Sequence, residues 1–266
     1  MYTTGGWSWE LDPADQPYPD YVADPRRPSM NVSTALFSSH VPRTTSRRVL
    51  LDAGTRYTAF KVTDPAGINE LAVDLEAGLF AQFDAGHSLD NIGWDGVFGA
   101  FLVQSWSETV IWRGGYRHLS AHLGDEYIEA TGRRRTGYTR EGFVLGVCYR
   151  WSDPVMIYVE PDWAWYLGNS ERQKRWAMAG GLQYEGSRSL WNGTTAVYAG
   201  LHVRAFQESG WNPDVVGQIG LHVTRDPRSA NLRLALGGYV GRAILGEYAL
   251  DFYEAYASLG VMLDFY

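Results

Sequence analysis

The chain has 266 residues, 45% hydrophobic and 20% charged, with a formal net charge of −7. It is too apolar and too aromatic for a disordered chain, and the acidic balance argues against nucleic acid as a partner. Tryptophan (11) and tyrosine (17) outweigh phenylalanine (10), which favours rings with a polar handle, the type placed where apolar surface meets water. No apolar run approaches the ~18 residues of a membrane-spanning helix. Cys148 stands alone, so there is no disulfide framework and no cysteine metal site.

The first residues, Met1-Tyr2-Thr3-Thr4-Gly5-Gly6-Trp7, lack the charged and apolar regions of a secretory signal, which taken alone points to the cytoplasm. Residues 1–28 are rich in Pro, Asp and Gly without periodicity and read as an irregular arm, partly ordered by Trp7 and Trp9. Basic residues come in short groups, Arg26-Arg27, Arg47-Arg48 and Arg133-Arg134-Arg135, read as solvated loop charges.

From about residue 29 the chain alternates with period two between turn signals. Leu71, Val73, Leu75, Ala77, Leu79, Ala81 and Phe83 share one face, opposite Asp74, Glu76 and Asp84. Phe143, Leu145, Val147 and Tyr149 repeat the pattern. So do Val155, Ile157, Val159, Trp163 and Trp165, against Glu160 and Asp162. Later segments set Val197, Ala199, Leu201 and Val203 against His202 and Arg204, and Leu232, Leu234, Leu236 and Val240 against Arg233. About twelve such segments occur, many longer than the ~5–6 residues usual in soluble sheets. Tight turns are expected at 105–108, 151–154 and 225–229, and longer loops near 38–48, 123–138 and 206–213. Short turns at one rim and long loops at the other describe an up-and-down outer-membrane barrel.

Alternation alone does not say which face is outside. A twelve-strand barrel is wide enough to hold polar side chains, and its polar faces carry ion-pair partners: Asp74, Glu76, Arg113, Arg117, Glu160, Asp162, Arg204 and Arg233. These are expected to point inward and plug the lumen. Tyr and Trp cluster toward strand ends, as in aromatic girdles. The final Ser258-Leu259-Gly260-Val261-Met262-Leu263-Asp264-Phe265-Tyr266 resembles the terminal signal read by the outer-membrane assembly machinery, an expected partner. The fold expected is all-β: one antiparallel transmembrane β-barrel over 29–266, in the bacterial outer membrane, with an irregular arm over 1–28.

The densest polar cluster reads His118-Leu119-Ser120-Ala121-His122-Leu123-Gly124-Asp125-Glu126-Tyr127. Together with Ala23-Asp24-Pro25-Arg26-Arg27-Pro28, it resembles a bacterial family, the domain-of-unknown-function family 1207, over most of the chain from about Val22. That resemblance implies a membrane-associated, barrel-like protein and supplies no activity. If Arg113 and Arg117 face the lumen, His118, Ser120 and His122 face lipid, and Glu141 has the matching parity on the next strand. The His-x-Ser pair is similar to that of two families of lipid hydrolases, the outer-membrane phospholipase and the lipid A deacylase. The match is partial: Ala121 stands where an Asn often follows the serine, and the loop before Glu141 is longer than in the deacylase.

The chemistry implied by the pair is acyl transfer, with Ser120 attacking an ester, His118 accepting its proton and Glu141 fixing the tautomer. An arginine of the 133–135 group or a loop amide would serve as oxyanion donor. A competing reading makes the cluster a rim that orders the loop through hydrogen bonds. A third gives His118, His122, Asp125 and Glu126 to a metal, although no strong metal signature is present. His202 and His222 read as lumen residues, and His40 and His87 as loop residues. The favoured function is a non-catalytic barrel with a structural, binding or small-solute role. The alternative is a lipid acyl-ester hydrolase. Membrane lipids are expected partners of either, and neither requires a cofactor, though calcium would be compatible with hydrolysis.

Overall fold

The computed structural model describes every residue except 1, 5, 14, 225–230 and 265–266. Two short strands, β1 (Tyr2–Thr4) and β2 (Trp7–Leu11), form a hairpin ahead of the barrel. Twelve barrel strands follow: β3 (Met30–Ser39), β4 (Arg47–Thr63), β5 (Glu70–Asp84), β6 (Asp90–Ser105), β7 (Val110–Leu123) and β8 (Thr139–Ser152), then β9 (Val155–Leu167), β10 (Trp176–Glu185), β11 (Thr195–Phe206), β12 (Pro213–Val223), β13 (Asn231–Arg242) and β14 (Tyr253–Asp264). Each pairs antiparallel with its neighbours in sequence, and β14 pairs with β3 to close the cylinder. The fold is the all-β barrel expected from the alternation. β2 extends the wall by pairing with Phe60–Thr63, the part of β4 that β3 does not reach.

The wall is inverted relative to a water-soluble protein. Leu75, Leu79, Phe98, Leu102, Phe143, Leu145, Leu201, Ile219, Leu236 and Leu259 are exposed, whereas Asp74, Glu76, Arg113, Glu160, Asp162 and Arg233 are buried. That distribution suits hydrocarbon outside and a polar interior. Exposed tryptophans mark both ends, with Trp106, Trp151 and Trp191 at the short-turn rim and Trp176 and Trp211 at the other. The connections after β3, β7, β9, β11 and β13 gather at one rim. Among the described residues, the opposite rim has short turns except for residues 186–194, which are longer than the pattern implied. The expected turn at 225–229 and the terminal Phe265-Tyr266 pair lie outside the described residues.

The N-terminal arm does not stay at the edge. Residues 15–29 enter the lumen and touch the wall on opposite sides. Lys61 of β4 pairs with Asp15 at 2.7 Å, Asp95 of β6 with Arg26 at 2.8 Å, and Asp264 of β14 with Arg27 at 2.9 Å. Gln183 of β10 accepts the Val22 amide, and Tyr21 stacks on Tyr158 of β9 with centroids 3.7 Å apart. A segment with partners around the whole cylinder can only lie inside it. Arg26 and Arg27 are therefore buried counter-ions, as is Arg48, which is fully buried against Glu254 at 2.6 Å. The reading of solvated loop charges fails for Arg26, Arg27 and Arg48, because the buried acids need cations, while Arg47, Arg134 and Arg135 are exposed.

All eight acidic and basic residues singled out above face the interior. Arg113 bonds Glu160 at 2.6 Å, while Arg117 bridges Glu76 at 2.8 Å and Glu160 at 2.9 Å, which makes a closed quartet of two cations and two anions. Asp74 lies 3.5 Å from Arg56, and Asp162 pairs with Arg204 at 3.2 Å and Arg140 at 3.5 Å. Arg233 meets Asp264. Toward the short turns, Tyr18, Tyr21, Val103, Ile111, Met156 and Tyr158 make an apolar stopper.

The long-loop rim is closed by its own small core. A helix, α1 (Asp125–Thr131), and the loop 243–252 bring Tyr127, Leu245 and Tyr248 together with Val41, Ile92 and Leu123. Asp95 joins cap to arm: it takes Arg26 from the arm and the Gly246 amide from the cap. Asp251 clamps Arg133 and Arg172 from two other loops, at 2.5 and 2.6 Å.

Three outcomes follow from this filling. Wild-type protein in planar lipid bilayers should show no large steady conductance, and joint Arg26→Ala and Arg27→Ala substitution should introduce openings. Glu160→Gln leaves the quartet with an uncompensated cation and should cost about 3–5 kcal/mol, read from the urea midpoint of the heat-modifiable folded form. Burial raises the Asp251 pKa, but hydrogen bonds from Arg133 and Arg172 outweigh it and hold the carboxyl below its usual range. Its contribution is therefore complete above about pH 4, the unfolded value, and is lost as pH falls further through the folded one. Asp251→Asn should loosen the cap at pH 7 by no more than ~1 kcal/mol, since the clamp is partly solvated, as measured by hydrogen exchange in α1.

Candidate functional site

Inward and outward side chains separate cleanly along β7. Arg113, Arg117, Leu119 and Ala121 point into the barrel, and Tyr116, His118, Ser120 and His122 point away from it. Cross-strand register then sets their neighbours. His118 sits between Phe98 of β6 and Glu141 of β8, Ser120 between Gly96 and Thr139, and His122 beside Trp94.

These pairings make two flat stacks with a gap between them. The His118 ring lies on Phe98 with centroids 4.4 Å apart and planes at 18°, and its Nδ1 is 3.5 Å from Glu141 Oε1. The His122 ring lies on Trp94 at 3.9 Å and 15°. Its Nδ1 accepts a hydrogen bond from Arg135 at 3.0 Å, which requires the neutral ring. Gly96 opens the gap: a Cβ there would lie 3.6 Å from Ser120 Oγ. Ser120 therefore stands in a notch between two imidazoles on the outer wall. Among the described residues, no hydrogen bond joins Ser120 to His118. Both line an outward groove whose other surfaces come from β3, β4, β5 and β6.

The second half of the polar string does a different job. Gly124 precedes α1, and any Cβ there would fall 1.8 Å from the Asn91 carbonyl oxygen, so only glycine fits. Tyr127 is buried in the cap and donates to the Pro42 carbonyl at 2.9 Å, while Asp125 and Glu126 are exposed in the first helical turn. The structure thus separates His118 and His122, on the wall, from Asp125 and Glu126, on the cap. Among the described residues, no three His, Cys, Asp or Glu side chains converge as a metal site.

The remaining histidines are distributed between lumen and loops. His202 and His222 are buried inside, on Tyr158 at 2.9 Å and Glu185 at 2.7 Å, and His40 and His87 lie in loops. Of the arginines expected near an oxyanion, Arg133 is turned toward Asp251, Arg134 is exposed, and Arg135 bonds His122 and the Ala121 carbonyl. Sequence reasoning did not single out Trp94, Gly96 and Phe98. Their own alternation, Trp94-x-Gly96-x-Phe98, is the signal that places them on the same outer face.

A serine two positions from a histidine on one face of a strand, with a carboxylate 3.5 Å from the imidazole, is a residue set used in acyl transfer. The set stands on an outward, largely apolar part of the wall.

Comparison with solved structures places this architecture among outer-membrane barrels. The outer membrane phospholipase A from Escherichia coli superposes with a TM-score of 0.58 at 11% identity, covering 92% of this chain and 95% of that one. The Salmonella typhi outer membrane phospholipase dimer with bound calcium gives 0.56 at 11% identity, covering 89% and 91%. A KdgM porin gives 0.46 at 9% identity, covering 90% and 99%. At such identities the likeness shows the fold alone. No curated protein sequence matches the chain. The model of the family described as "Protein of unknown function (DUF1207)" matches residues 18–261, a span that takes in the lumen-filling arm, the wall and the polar string. The chain belongs to the DUF1207 family and is an outer-membrane-type β-barrel.

Proposed function

We propose that this protein is a non-conducting barrel of the bacterial outer membrane that hydrolyses acyl esters of membrane lipid at its outer wall. The observation that carries the reading is that His118 and Ser120 line one lipid-facing groove, with Glu141 against the imidazole at 3.5 Å. Glu141 is close to Nδ1, which leaves Nε2 as the basic nitrogen. Catalysis requires the Ser120 hydroxyl to reach that nitrogen, a contact that unliganded sites often form only when substrate binds. Ser120 Oγ then attacks the ester carbonyl and passes its proton to His118. Collapse of the tetrahedral intermediate breaks the ester C–O bond, and His118 returns the proton to the departing alcohol. Water, activated by the same imidazole, attacks the acyl-serine and releases the fatty acid.

The filled lumen weighs against a solute-passage role, because arm, quartet and cap occupy the interior from rim to rim. A non-catalytic lipid-binding wall is the competing reading. It is favoured by the stacking of His118 on Phe98 and by the lack of a hydrogen bond between His118 and Ser120.

Release of fatty acid from phospholipid or lipopolysaccharide micelles, with and without added calcium, separates the two. Hydrolysis predicts slow turnover that Ser120→Ala and His118→Ala each lower by at least ~100-fold, with heat-modifiable folding unchanged. Glu141→Gln should cause a smaller loss. Turnover that survives Ser120→Ala, or none from the folded wild type, returns the cluster to a structural role.

A further inference from the structure

The wall beside Ser120 is not the flush surface of Leu, Val and Phe that most of the barrel offers. Two adjacent cross-strand rows run across β4, β5, β6 and β7. One is Thr55, Ala77, Phe98 and His118; the other is Ala53, Leu79, Gly96 and Ser120. The positions at 53, 55, 77 and 96 recess the wall into a groove of ≈ 630 Å³, within the ~300–1,000 Å³ typical of ligand sites. Leu79, Phe98 and Met30 supply its large side chains.

The ends of this groove lie at different heights. Ser120 is near the loop end of β7, which finishes at Leu123, whereas Thr55 lies near the middle of the 17-residue β4. The groove therefore descends from the long-loop rim toward mid-barrel. An acyl chain takes that course when its ester lies at rim level and its tail in the membrane core.

Charge at the upper end completes the match. His122 is two residues beyond Ser120 on the same face, about 7 Å along the strand. Arg135 lies against it with 54% of its side chain exposed. The nearest acid is Glu247, 3.8 Å from Arg135 Nε, but that carboxylate is fully buried and already accepts the Thr136 and Gly137 amides. With more than half of its side chain exposed beside His122, Arg135 keeps guanidinium donors accessible on the loop side of Ser120.

We propose that the groove binds one acyl chain of a phosphate-bearing glycerolipid, with the ester carbonyl at Ser120 and the phosphate on Arg135. The proposal rests on the hydrolase reading for its orientation and deepens it, since it names the substrate class and makes Arg135 the residue that selects it. Neutral diacyl lipids lack the group that Arg135 would hold.

The test uses purified full-length Ser120→Ala protein, mixed in detergent with dioleoylphosphatidylglycerol or dioleoylglycerol and examined by native mass spectrometry. Retention of one phosphatidylglycerol is expected, preferred about 10-fold over dioleoylglycerol. Adding Arg135→Gln should bring that preference close to parity. Adding Ala77→Trp, which fills the groove from an exposed wall position, should abolish retention of both lipids while heat-modifiable folding persists. Undiminished retention with Ala77→Trp overturns the groove, and an undiminished preference with Arg135→Gln overturns the phosphate assignment. The hydrolase reading fails separately: lipid retained by Ser120→Ala, with no fatty acid released by the wild type, leaves the groove standing and removes the chemistry. Wild-type turnover that Ala77→Trp leaves intact overturns the groove and leaves the chemistry.

Discussion

A barrel of twelve strands encloses more space than its own inward side chains can fill, and hydrocarbon outside forbids leaving charge on the wall. Both conditions send the polar residues inward, where each charge must find an opposite one. The wall contributes Asp74, Glu76, Asp95, Glu160, Asp162 and Asp264 together with Arg56, Lys61, Arg113, Arg117, Arg204 and Arg233, and these do not fill the lumen alone. The arm adds partners of both signs. Arg26 and Arg27 answer Asp95 and Asp264, and Asp15 and Asp20 answer Lys61 and Arg56. Cap, arm and wall are one electrostatic unit, and the outer site is built on the rigid cylinder that results.

That rigidity matters for the groove. His118, Ser120 and Glu141 stand on neighbouring strands in fixed register, and the stacks on Phe98 and Trp94 hold both imidazoles flat against the wall. Leu119 and Ala121, which alternate with them, pack inward against Phe80, Val97 and Tyr138 beneath the cap. The floor of the site is therefore the roof of the lumen core. A change in either would be felt by the other through a single layer of backbone.

Period-two alternation made the strands legible because side-chain direction along a strand is set by backbone geometry rather than by distant partners. Parity separates Arg113 and Arg117 from His118 and Ser120, and the structure has them on opposite faces. Register was less accessible. That Glu141 lies directly across from His118 depends on a long connection containing α1, whose length in space no spacing rule fixes. The arm was illegible for a different reason. Ala23 to Pro28 has no periodicity, and the wall acids that hold Arg26 and Arg27 lie 69 and 237 residues away in the chain. The loop 243–252 escaped notice because its Leu245, Glu247 and Tyr248 turn inward at a rim where loops ordinarily face water.

The meeting of Arg27 with Asp264 bears on the order in which the chain can assemble. Arg27 precedes the first barrel strand and Asp264 ends the last, and Arg233 of β13 shares that same carboxylate. Until β14 arrives, two buried arginines lack one of their counter-charges; until the arm is inside, Asp95 lacks Arg26 and Asp264 has Arg233 alone. A cylinder closed without the arm would leave Asp95 buried without Arg26. Seam pairing and arm placement therefore depend on each other through one carboxylate.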